Sequence, residues 1–170
     1  SVAAMILVGE GRLGLDDPIS RYIPSFATAR VAVATDTGRI LVPARRDITI
    51  RQLLTQTAGL SYGTDSIIRA EYQAAGLGPA AGYGWYLADK PESICVTMDR
   101  LGTLPLAAQP GEAWVYGYAT DVLGCVVERA SGVPLDQFFR QRIFAPLGMH
   151  DTWFFPPDSL GGRLTAVYAV

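Results

Sequence analysis

The sequence predicts a mostly helical fold carrying one small β-hairpin, and three observations support that reading. Apolar residues recur at helical spacing in several separate stretches, such as Val122, Leu123, Val126 and Val127, or Leu135, Phe138, Phe139 and Ile143. Short β-branched runs alternate on either side of Asp36-Thr37-Gly38. The 170 residues are 49% hydrophobic and 18% charged, enough to bury one core. The 18 Gly and 11 Pro follow no period and call for many turns and long connections.

Residues 1–10 carry Ala4, Leu7 and Val8 on one helical face, without a polar lead-in, and Gly11 ends the run. A turn around Asp16-Asp17-Pro18 leads to a short helical piece stopped by Pro24. Residues 31–42 form the hairpin. Residues 49–57 are the best-marked helix: Thr49 and Gln52 match a capping box, and Gly59 suits the left-handed position after the last turn. From 60 to 109 the pattern dissolves into Gly-, Tyr- and Pro-rich sequence with one short helix expected within 93–104; connections this long usually cover or bind something. Residues 119–130 form a second clear helix, stopped by Ser131-Gly132. A third begins with Pro134 in its first turn and runs to Ala145-Pro146.

A net charge of −2 with no basic run excludes the electrostatic footprint of a nucleic-acid binder. No apolar stretch approaches the roughly 18 residues of a spanning helix, so the chain is expected to be soluble, cytoplasmic or periplasmic. Cys95 and Cys125 sit thirty residues apart, with no C-x-x-C or Cys/His cluster, and are expected to be buried free thiols. One histidine excludes H-x-x-x-H metal sites, and no cofactor is expected.

With one Lys and one His, mechanisms needing either must use Lys90 or His150. Lys90, in Asp89-Lys90-Pro91-Glu92, reads as a surface charge, and His150 follows a helix end. Gly59-Leu60-Ser61-Tyr62-Gly63 matches the G-x-S-x-G elbow, with Asp121 or Asp136 and then His150 as triad partners in chain order. Its context is wrong, because a helix rather than a buried strand precedes Ser61. None of the eight serines has a lysine three positions on, so S-x-x-K is absent. Asp16 and Asp17 read as turn residues rather than a catalytic pair. Tyr116, in Trp114-Val115-Tyr116-Gly117-Tyr118, stands just ahead of the 119–130 helix, where the helix dipole favours negative charge; residue types alone still favour an aromatic core patch.

Several stretches together resemble the serine hydrolase family of class C β-lactamases, D-alanyl-D-alanine carboxypeptidases and family VIII carboxylesterases. They are residues 1–8 with Gly11-Arg12-Leu13 and Leu15-Asp16-Asp17-Pro18; residues 50–60; Pro110-Gly111 through Tyr116; Asp121-Val122-Leu123-Gly124; and Pro146-Leu147-Gly148-Met149. The resemblance implies an α+β, class C β-lactamase/DD-peptidase-like fold, with residues 1–170 as its central, mostly helical portion and the flanking α/β portions absent. It also implies that the S-x-x-K nucleophile and lysine lie upstream of Ser1 and that the C-terminal K-T-G, H-x-G or W-G-G strand follows Val170. The rest of the polypeptide, or a second fragment, would complete the fold.

Of the family's three site motifs only the tyrosine element is present, as Tyr116-Gly117-Tyr118, which makes Tyr116 the catalytic candidate. Tyr118 and Trp85, the latter within the aromatic loop 83–86, are candidate substrate-binding residues. Tyr118 replaces the asparagine of β-lactamases and favours a carboxylesterase acting on small esters through an acyl-enzyme. A β-lactamase or D-Ala-D-Ala carboxypeptidase, and a non-catalytic helical module, are the alternatives. Gln56 and Gly117 stand where the family often has histidine and serine.

Overall fold

A computed structural model describes residues 1–78, 87 and 90–166. Helix α1 (Val2–Gly9) buries Ala3, Ala4 and Leu7 and stops at Gly11, whose φ is +68°. Asp17 then pins the following turn, accepting from the Gly14 amide at 2.9 Å and the Tyr22 hydroxyl at 2.9 Å. Those donors, the Gly14 N–H first, hold its carboxyl below the usual range. Two 3-10 turns, Ile19–Arg21 and Pro24–Thr28, carry Ile19, Ile23 and Phe26 into the core.

Strands β1 (Arg30–Thr35) and β2 (Gly38–Pro43) form the predicted antiparallel hairpin, with Val31 opposite Val42 and Val33 opposite Ile40. Its inner strand is joined by Leu106, whose amide donates to Arg30 O and whose carbonyl accepts from Ala32 N.

Helix α2 (Ile50–Leu54) has the predicted capping box: Gln52 N donates to Thr49 Oγ1 and Thr49 N donates to Gln52 Oε1. It is shorter than the sequence predicts, and its left-handed terminating residue is Gln56, with φ +57°, rather than Gly59. Gly59 is also left-handed, at φ +77°, but it meets a second demand. A Cβ there would lie 2.1 Å from the Ala108 carbonyl oxygen, so only glycine lets the two segments approach.

Helix α3 (Arg69–Ala74) was not foreseen within the irregular region, whereas α4 (Ile94–Leu101) falls where a helix was expected. Helix α5 (Ala119–Ser131) is the spine: it packs on α1, α2 and α4 through Val122, Leu123, Val126 and Val127 and ends at left-handed Gly132. Helix α6 (Leu135–Phe139) also packs on it and widens into a π turn over Arg140–Phe144. Pro134 is the residue before its first turn, and the Leu135 amide is capped by Glu128 Oε1 at 2.8 Å.

The cysteines correct the expectation of free thiols. Cys95 of α4 and Cys125 of α5 are joined in a disulfide, with Cα atoms 5.0 Å apart. Packing of α4 against α5 brings the two together, a proximity that thirty intervening residues do not reveal. Among the described residues no helix is long and apolar enough to cross a membrane.

Candidate active site

The segment entering α5 is held by the loop that leaves α2. Gln56 O accepts the Val115 amide at 2.8 Å, Thr57 O the Gly111 amide at 2.7 Å, and Gly59 O the Ala107 amide at 2.9 Å. These bonds satisfy backbone groups of two irregular segments and lay 107–115 alongside 56–59. Gly117 continues the contact: a Cβ there would sit 2.2 Å from Leu60 O and 2.7 Å from Ser61 Cα. The backbone on both sides of Tyr116 is therefore fixed.

Tyr116 projects outward, 62% exposed, beside Trp114, which is 68% exposed. The two rings stack at 6.0 Å with an interplanar angle of 16°. Tyr62 meets Tyr116 edge-on at 5.6 Å and meets Tyr118 edge-on at 4.8 Å. Tyr118 lies behind this surface, fully buried, its hydroxyl donating to the Leu77 carbonyl at 2.6 Å. The structure thus brings Tyr116 and Tyr118 together through Tyr62, with Tyr116 alone presenting its ring to the outside. Trp85 lies outside the described residues.

Ser61 has the surroundings of a structural residue. It is buried, donates to Asp65 Oδ2 at 2.6 Å and accepts from the Gly63 amide at 3.2 Å, closing a tight turn. His150 lines a different hollow of about 490 Å³ with Asp136, Arg140 and Trp153, where the Arg140 guanidinium lies 5.4 Å from the Trp153 ring centre. Asp121 faces a third space, an apolar cleft of about 290 Å³ bounded by Ser1, Ala4, Ile94, Leu135 and Phe139. Burial there pushes its carboxyl up to about 6. Of the elbow's triad partners, Asp136 and His150 share one hollow and Asp121 lines another, and Ser61 lines neither. Among the described residues no group of three His, Cys, Asp or Glu side chains could hold a metal ion.

Sequence reasoning missed Gln56 as a participant. Its amide Nε2 donates to Thr120 Oγ1 at 3.3 Å while its backbone holds Val115, so it touches the chain on both sides of Tyr116. Nothing in the residue type announces a left-handed glutamine.

A spine helix entered through an exposed tyrosine, flanked by helices and a hairpin, is the helical layer of a β-lactamase/penicillin-binding-protein fold. The chain belongs to the Beta-lactamase family, whose model matches residues 1–170. An uncharacterised protein of Mycobacterium tuberculosis is 39% identical over 171 residues, covering 98% of this chain and 39% of that protein. Esterase EstB of Burkholderia gladioli is 33% identical over 154 residues, covering 91% of this chain and 35% of the esterase. The solved structure of EstCE1, described as a hydrolase with promiscuous acyltransferase activity, superposes with a TM-score of 0.71 at 33% identity, covering 92% of this chain and 37% of that one. The chain thus spans less than two fifths of the length of these relatives.

Proposed function

We propose that these residues are the central part of a serine carboxylesterase that hydrolyses small esters through an acyl-enzyme. The nucleophilic serine and its lysine, in S-x-x-K, lie outside residues 1–170. The observation that carries this reading is Tyr116: its ring is exposed while the backbone on either side is fixed by Gln56 and by the packing of Gly117. A phenol held in this way suits transfer of a proton between the serine, the lysine and the leaving alkoxide. Tyr62 and Trp114 flank the phenol, Tyr118 supports Tyr62 from behind, and Trp85 would add to the pocket wall. The esterase name of one relative and the hydrolase description of another support the choice of ester substrates.

The test is turnover of p-nitrophenyl acetate and butyrate, beside nitrocefin and D-Ala-D-Ala peptides, by a longer chain that includes the S-x-x-K segment and the C-terminal strand. Ester turnover is expected to dominate, Tyr116→Phe to lower kcat by about 100-fold or more, and residues 1–170 alone to be inactive. Ester hydrolysis by residues 1–170 that is lost in Ser61→Ala and kept in Tyr116→Phe would overturn the proposal.

A further inference from the structure

Gln56 is the one non-glycine residue among those described with positive φ, at +57°. The left-handed region crowds Cβ against the backbone, and glycine or asparagine normally takes such positions. Its side-chain amide carries a second cost. One end meets Thr120 Oγ1, while Oε1 is buried with no hydrogen-bond partner among the described residues. Turning the amide over leaves the other polar atom in the same position, so neither orientation satisfies both. A residue serving only to end α2 would not need a long amide side chain here.

What the conformation achieves is a bracket. Gln56 O takes the Val115 N–H one residue before Tyr116, and Gln56 Nε2 reaches Thr120, four residues after it and in the first turn of α5. Strain and an unmet polar group at one residue, both tied to the tyrosine segment, form the pattern in which local stability is given up to hold a functional group.

We infer that Gln56 is a positioning residue for Tyr116, clamping the 115–120 segment from both ends so that the phenol keeps one orientation. The inference rests on the reading of Tyr116 as the proton-transfer group. It predicts an effect on turnover that separates from stability. Gln56→Gly relieves the backbone conformation and keeps the carbonyl that holds Val115, removing only the side-chain contact.

In the longer, ester-hydrolysing chain, Gln56→Gly is expected to lower kcat about tenfold with KM changed less than about twofold, because misplacing a reacting group costs rate rather than affinity. The melting temperature should be unchanged or raised. Thr120→Val removes the other partner at an exposed site and should give a similar loss, with the double variant no worse than either single one. Gln56→His, whose ring N–H can donate to Thr120, should recover most of the rate. Wild-type kcat in Gln56→Gly or Thr120→Val, or losses that multiply in the double variant, would overturn the inference. Tyr116→Phe separates the two levels: if it collapses turnover while Gln56→Gly does not, only the inference on Gln56 fails; if it leaves turnover intact, the reading of Tyr116 fails and the inference with it.

Discussion

Ser61 Oγ lies 2.6 Å from Asp65 Oδ2 and donates to it, while also accepting from the Gly63 amide. Both lone-pair and proton commitments of the hydroxyl are local, so its loss is a matter of stability. Ser61→Ala is expected to cost about 1–2 kcal/mol, the penalty for a buried turn losing two hydrogen bonds and leaving one amide unmet. Chemical denaturation should show that loss, and ester turnover by the longer chain should stay within about twofold of wild type.

Gly117 separates Tyr116 from Tyr118 and lies flat against Leu60 and Ser61. Any Cβ must push against backbone rather than a flexible side chain, since Leu60 O would be 2.2 Å away. Gly117→Ala should therefore destabilise the fold by about 1–3 kcal/mol and lower kcat together with stability. Parallel thermal melts and steady-state kinetics would show both falling. A neutral Gly117→Ala variant would mean that this contact does not hold the tyrosine segment.

The disulfide joins two helices that are neighbours in space and thirty residues apart in sequence. Closing a loop of that length in the unfolded chain stabilises the native state by about 3–4 kcal/mol in the chain-entropy treatment. Reduction, or Cys95→Ser with Cys125→Ser, should lower the denaturation midpoint correspondingly. Thiol titration of the denatured protein should find no free thiol before reduction and two after it.

Asp121 gives a pH signature in residues 1–170. Its carboxyl is raised from 3.8 to about 6, chiefly by burial, so the folded chain keeps this proton over a range where the unfolded chain has lost it. Stability from this group therefore falls as pH rises from about 4 to 6 and stays reduced above, by on the order of 2 kcal/mol. Asp121→Asn should raise the melting temperature at pH 7.5 and leave it nearly unchanged near pH 3.5. An equal shift at both pH values would assign the effect to packing rather than charge.

Much of the fold was legible where local chemistry and tertiary demand agree. The Thr49–Gln52 capping box, the hairpin turn at Asp36-Thr37 and the Gly132 stop each use one residue for one purpose. Reading failed where a residue answers to a distant partner. Gly59 looked like the end of a helix, but Ala108 requires it to be glycine and Gln56 makes the turn instead. Helix α3 has six residues, of which only Tyr72 is buried, too few to show a period. Tyr116 could be singled out by resemblance but not by composition, because its exposure depends on how Gly117 and Val115 are fastened.

The pairing of Gly59 with Ala107, together with the Gly59–Ala108 contact, closes the base of an excursion running from residue 60 to 106. Such a closed base is a natural crossover point. Exchanging residues 60–106 between family members would swap Tyr62, Trp85, half of the disulfide and the Leu60–Ser61 backbone on which Gly117 packs as one cassette, while the Gln56–Val115 and Thr57–Gly111 bonds stay intact. The same architecture thus lets residues 60–106 be exchanged by recombination while the backbone bonds from Gln56 and Thr57 to the segment ahead of Tyr116 are kept.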